Sequence, residues 1–287
     1  MRKKLLVLGA FVSVVMLVSC TGSKKEAVTY TPEEIADAGQ VVKYYDTSLA
    51  LLKNLVKERD VNAVLGYMEQ QAKVQMFSHI MSPVISKKDS AAVIQPGDYF
   101  GDDVRQNLIQ NYTELFQSRG QFYANFNKYL SLLKEKKTEG IADLLNDNYE
   151  LSVEMSECKQ NIFDILSPIV AQAQQVLLAE NPVKEQIIAM KKMSLTMQSI
   201  INLYARKHVE DKARLDLKIV ELRLQLDAAE KLPAVKGHEE QTEKFKDFLS
   251  KTEEFMKIVQ DIRQKNSYTE EDFDDISSYG LLSLIHI

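Results

Sequence analysis

Histidine, glycine, proline and cysteine are all scarce here: 4, 10, 6 and 2 among 287 residues. A metal site needs His, Cys or carboxylates converging, often three or four residues apart on a helix. His79, His208 and His238 are scattered, no HExxH occurs, and they read as solvated or capping side chains. No metal and no cofactor is expected. Gly97, Gly101 and Gly120 form no phosphate-cradling loop, and no Walker, dinucleotide or GxSxG pattern is present. The chain also lacks an apolar run of the ~20 residues that a membrane span takes. Leu5 to Val18, 14 residues without a charge, falls short.

What is present begins with that short run. Arg2, Lys3 and Lys4 precede it, and Leu17-Val18-Ser19-Cys20 ends it. A basic start, a short apolar core and a small residue at the cut are the parts of a secretory signal. Leu-Val-Ser-Cys resembles a bacterial lipobox. The resemblance implies a signal peptide over 1–19, diacylglycerol on the Cys20 sulfur and a lipidated tether over 20–30. Cys158 is then left without a partner, so packing must hold the fold without a disulfide. One acyl chain gives marginal membrane affinity; several on one cysteine make attachment effectively permanent.

Thr21–Ile287, 267 residues, follow Cys20 and suffice for one large or two small domains. Loss of the three basic signal residues leaves 33 basic against 41 acidic, a net charge of −8. Such a body is a poor nucleic-acid binder, because phosphate contacts need clustered Lys and Arg. It is equally unsuited to lie flat on anionic lipid, so the anchor on Cys20 must hold it to the membrane.

The body reads as helix throughout, with a bundle domain over 31–281. Thr31-Pro32-Glu33-Glu34 is a capping box with proline at the first helical position. Val41, Tyr45, Leu49, Leu52 and Val56, then Val61, Leu65, Met68, Ala72 and Met76, mark a helix or helix pair running to about Ser82. Val84 to Asp103 is expected to be irregular, with Asp102 or Asp103 capping the next helix. Leu108, Tyr112, Leu115, Arg119, Phe122, Phe126, Tyr129 and Leu133 follow a 4-3-4-3 rhythm. Gly140 separates that helix from a third, over Ile141 to Leu177, which Pro168 should kink. Asn181-Pro182 opens a fourth, expected to run unbroken through Met190 and Tyr204 to Leu226. Apolar residues alternate from Leu215 to Leu226, but no turn signal flanks them and the 3-4 spacing continues, so a strand is rejected. Leu217, Val220 and Leu224 add a second seam, which predicts a central helix. A fifth helix carries Phe245, Phe248, Phe255, Val259 and Ile262, and Thr269 with Asp272 opens a sixth. The fold class predicted is all-α: an elongated antiparallel helical bundle of five or six long helices, with two sub-bundles dividing near Glu180. Residues 282–287, Leu-Ser-Leu-Ile-His-Ile, match the translation of a common sequencing-adapter end, so they are expected to be a scar on a truncated chain.

Candidate chemistry is thin. Cys158 sits beside Met155 and Ile162 and reads as a buried, inert thiol. Asp98, Asp102 and Asp103, and Glu270, Glu271, Asp272, Asp274 and Asp275, lack the spacing of a calcium loop and suit helix starts. Met190, Met193 and Met197 form a row that could meet a partner, although the spacing is that of a core stripe. Phe122, Tyr123, Phe126 and Tyr129 could line a cleft for sugars or peptides, with core packing again the favoured reading. Arg119 interrupts an apolar stripe; an edge position with a snorkelling stem is the favoured reading, ahead of a buried ion pair or a groove.

The lipobox, the tether and the opening helix with Val42-Lys43-Tyr44-Tyr45-Asp46, followed by Tyr- and Phe-bearing helices, resemble YiiG-like bacterial envelope lipoproteins of the Bacteroides type. That resemblance implies an all-helical body of unassigned function and supplies no catalytic residues. Thr21-Gly22-Ser23-Lys24-Lys25-Glu26 lacks the dense acidic run associated with surface export in that group. The expectation is a non-enzymatic helical scaffold or protein-binding module, held on the periplasmic face of the outer membrane. The alternative is a peptide- or glycan-binding lipoprotein with a pocket near Phe122 to Tyr129 or under the Val84 to Asp103 loop.

Overall fold

The computed structural model describes residues 29–70, 87–204, 212–265 and 269–282. Cys20, the helix end expected near Ser82, and residues 283–287 lie outside them. The described residues are helical, with no strand among them.

The first helix, α1, spans Pro32–Leu55 and opens on the expected capping box: Thr31 Oγ1 accepts from the Glu34 amide at 3.2 Å, and the Thr31 amide donates to Glu34 Oε2 at 2.7 Å. The stripe then continues in a second helix, α2, over Glu58–Glu69. Val56 and Lys57 break the pair although the apolar rhythm runs across them. Lys87–Val93 forms a short helix, α3, inside the stretch expected to be irregular. A tertiary contact fixes it: Tyr44 Oη donates to the Val93 carbonyl at 2.6 Å, and the Tyr44 ring meets Phe100 edge-on at 5.1 Å.

Two long helices follow. α4 runs Asp102–Lys134 and α5 runs Ile141–Leu177. At 1.5 Å per residue they extend ~50 and ~55 Å. Gly101, not Asp102 or Asp103, takes the N-cap of α4, and the two aspartates occupy its first turn. Gly140, at φ 77°, takes the left-handed conformation that turns the chain into α5, a geometry costly for any residue with a Cβ. Pro168 lies within α5, and the helix continues past it.

α6 (Lys184–Tyr204) and α7 (Lys212–Ala229) replace the single fourth helix. Gln186 near the start of α6 donates to the Pro233 carbonyl beyond the end of α7 at 3.1 Å, so the two helices are antiparallel. Ala205 to Asp211 contains neither Gly nor Pro, which is why no reversal was legible there. α8 covers Glu239–Gln264, and α9 covers Glu270–Leu282.

Side chains gather in two hydrophobic cores. The first unites α1 to α5 around Leu65, Tyr112, Phe122, Tyr129, Met155 and Ile162. The second unites α6 to α9 around Ile200, Leu222, Phe255, Val259 and Ile276. α5 bridges them. Gln160 Nε2 donates to Ser199 Oγ of α6 at 2.6 Å, and Asp164 pairs with Arg214 of α7. Leu195 of α6 packs against the first core.

Candidate functional site

The aromatic row of α4 is structural. Phe122 and Tyr129 are wholly buried and Phe126 nearly so, packed against Tyr67 of α2 with ring centroids 5.9 to 6.1 Å apart for Phe126 and Tyr129. Tyr123 is half-buried. Among the described residues these rings pack into or against the first core. Met193 and Met197 are likewise buried in the second core, and Met190 packs half-buried against it. The 3-4 spacing that could have made either row a binding face placed it against a neighbouring helix instead.

Arg119 is 7% exposed. Its Nε donates to the Leu55 carbonyl at 3.0 Å, and its guanidinium lies 5.0 Å from the Tyr123 ring centroid. Burial lowers its pKa, and Tyr123 opposes that shift. Leu55 is the last residue of α1, where carbonyls lack helical partners and favour a cation. Lys159 of α5 completes the arrangement, donating to the Val56 carbonyl at 3.3 Å and pairing with Glu58 at 3.6 Å. Ten residues along α4, Tyr129 Oη donates to the Met68 carbonyl in the last turn of α2 at 3.3 Å. Arg119 and Tyr129 therefore satisfy carbonyls at the C-terminal ends of α1 and α2.

Other candidates are equally occupied. Cys158 is buried, and burial, then the carboxylates of Glu114, Glu154 and Glu157, push its thiol up to about 12. It has little thiolate near neutral pH. Asp98 and Asp102 pair with Arg105 at 2.8 and 3.5 Å. Asp272 closes a capping box with Thr269 and pairs with Lys265 at 2.6 Å. No group of three metal-ligating side chains occurs among the described residues.

Two features were not singled out from sequence as sites. The first lies on α7. Leu215, Leu222 and Leu226 face the second core, whereas Leu217, Val220 and Leu224 are 70%, 57% and 63% exposed. The second seam is thus an open edge, and α7 is not central. These residues border a groove of about 520 Å³ between α6 and α7, floored by Ile188, Ala189 and Leu232. The alternation noticed between Leu215 and Leu226 was its trace. The second is a cleft of about 240 Å³ where α1, α5 and α6 meet, with Asp46 and Lys191 among its walls.

An all-helical protein with two cores bridged by one long helix is the class defined by this architecture. The chain belongs to the DUF6845 family, a domain of unknown function, whose model matches residues 32–180. Residues 182–285 match the DUF3829-like, C-terminal domain. An alpha helical protein from Bacteroides fragilis is 53% identical, covers 89% of this chain and 100% of its own, and superposes with a TM-score of 0.83. An uncharacterized DUF3829-like protein from Bacteroides thetaiotaomicron is 48% identical over 89% of this chain and 100% of its own, with a TM-score of 0.78. None of the curated proteins compared with the chain matches it. The matching families carry the DUF6845 and DUF3829-like names, and the YiiG-like name is not confirmed.

Proposed function

We propose that this chain is a non-enzymatic, lipid-tethered protein-binding module of the bacterial envelope, anchored through Cys20 on the periplasmic face of the outer membrane. The observation that carries the reading is the open apolar stripe of Leu217, Val220 and Leu224 beside the α6–α7 groove. Singly exposed leucines are ordinary, but a row at helical spacing along a groove suits a partner. The occupant we assign is an amphipathic helix of an envelope protein, laid along α7 with its apolar residues at matching intervals. From Leu217 to Ala229 the groove follows 12 residues of helical rise, ~18 Å, the length of about three turns of helix. The lipobox pattern and the acidic body support attachment by the anchor alone.

Photo-crosslinking in intact cells tests this. A benzophenone amino acid at Val220 should capture one reproducible protein, and the same probe at exposed Lys244 should not. Leu224→Glu should abolish the capture, and Cys20→Ser should weaken it. Mass spectrometry of the mature N-terminus should find an acylated Cys20. Capture that is absent, or indifferent to Leu224→Glu, refutes the binding reading, while an unacylated terminus refutes the anchor.

A further inference from the structure

The cleft where α1, α5 and α6 meet carries a different chemistry from the α7 stripe. Its walls come from three helices, with Val42 and Leu49 on α1, Val170 on α5, and Lys191, Ser194 and Leu195 on α6. Ser194 is 8% exposed, and its Oγ is buried without a hydrogen-bond partner among the described residues. An unsatisfied buried hydroxyl is costly, so a ligand acceptor placed there recovers free energy. Asp46 stands exposed at the rim and Lys191 is half-buried. Burial nevertheless pushes the Asp46 carboxyl up and the Lys191 ammonium down, and each side chain's charge partly sustains the other's. One wall therefore offers a carboxylate, another an ammonium and a hydroxyl, with aliphatic side chains between them.

We propose that this cleft binds a small zwitterion, an α-amino acid with an apolar side chain, whose ammonium meets Asp46 and whose carboxylate meets Lys191 and Ser194 Oγ. The aliphatic side chain lies against Val42, Leu49 and Val170. The cleft volume of about 240 Å³ is below the ~300–1,000 Å³ of pockets for drug-sized ligands.

Calorimetric titration of the full chain with L-leucine tests the assignment. One site with a dissociation constant below 1 mM is expected, on the order of what two charge-assisted contacts give. N-acetyl-leucine, lacking the ammonium, and leucinamide, lacking the carboxylate, should each bind about tenfold more weakly. Asp46→Asn should discriminate less against N-acetyl-leucine, and Lys191→Gln less against leucinamide. Ser194→Ala removes only the hydroxyl and reads the same site if Lys191→Gln fails to fold. Leu224→Glu should leave leucine binding unchanged, so failure here is separate from failure of the α7 reading. No heat from any apolar L-amino acid at 10 mM overturns the proposal. So does equal binding of N-acetyl-leucine, or wild-type affinity in Asp46→Asn and Ser194→Ala together.

Discussion

Arg119 Nε reaches the carbonyl of Leu55 at 3.0 Å, across 64 residues of sequence, and stops the end of α1 from being left unpaired in the interior. Arg119→Leu removes that donor and leaves a buried carbonyl unsatisfied. A loss of about 2–3 kcal/mol is expected, seen as a lower midpoint in urea unfolding followed by circular dichroism. Arg119→Lys should recover only part of it, since the planar contact with Tyr123 goes as well. A midpoint unchanged in Arg119→Leu would show that the contact contributes nothing.

The neighbouring pair behaves differently. Lys159 and Glu58 have side chains only 11% and 10% exposed. Lys159→Met removes the cation from a buried carboxylate to which Ser156 Oγ still donates at 3.2 Å, and should cost roughly 1–3 kcal/mol. The double variant Glu58→Gln with Lys159→Met should be more stable than Lys159→Met alone. Unfolding midpoints of both proteins decide it.

On α7, alternate residues carry opposite expectations. Val220→Glu touches solvent and should change stability by less than ~0.5 kcal/mol. Leu222→Ala, two residues away and fully buried, should cost ~2–5 kcal/mol. Thermal melts of the two variants, measured side by side, test whether the helix is apolar on two faces but packed on one.

The α9 cap sets a pH dependence. Hydrogen bonds from Lys265 and Thr269 hold the Asp272 carboxyl down at about 2, below its ordinary 3.8. A depressed carboxylate contributes stability above its unfolded value and loses it as pH falls towards its folded value. Amide exchange in α9 should therefore accelerate between about pH 4 and 2 relative to α8, and Asp272→Asn should remove that acceleration. Exchange that rises equally in both helices would place the acid sensitivity elsewhere.

Where apolar spacing and capping chemistry agreed, the sequence was readable. Thr31 and Glu34 announced α1, Gly140 separated α4 from α5, and Thr269 with Asp272 announced α9. The misses share one cause. The break at Val56 and Lys57 and the reversal between Tyr204 and Lys212 carry no Gly or Pro. What sustains the first is Arg119 and Lys159, donated by helices 64 and 103 residues further on. α3 was invisible for the same reason, since its anchor is Tyr44. Periodicity identified Arg119 as anomalous but favoured a snorkelling edge position, whereas the side chain is buried and its partner is a backbone oxygen 64 residues away. The Asp46–Lys191–Ser194 cleft had no local signature, because Asp46 lies about 145 residues before Lys191 and Ser194 in the sequence.

The bridging role of α5 limits how this architecture could be rearranged. The boundary between its two matched families falls just past the end of that helix, yet Gln160 and Asp164 reach Ser199 and Arg214 beyond it. A gene cut at that border would give two fragments, each with a raw face shaped for the other. Swapping in a foreign second half would demand matching changes along the flank of α5, so these halves are poor material for modular shuffling.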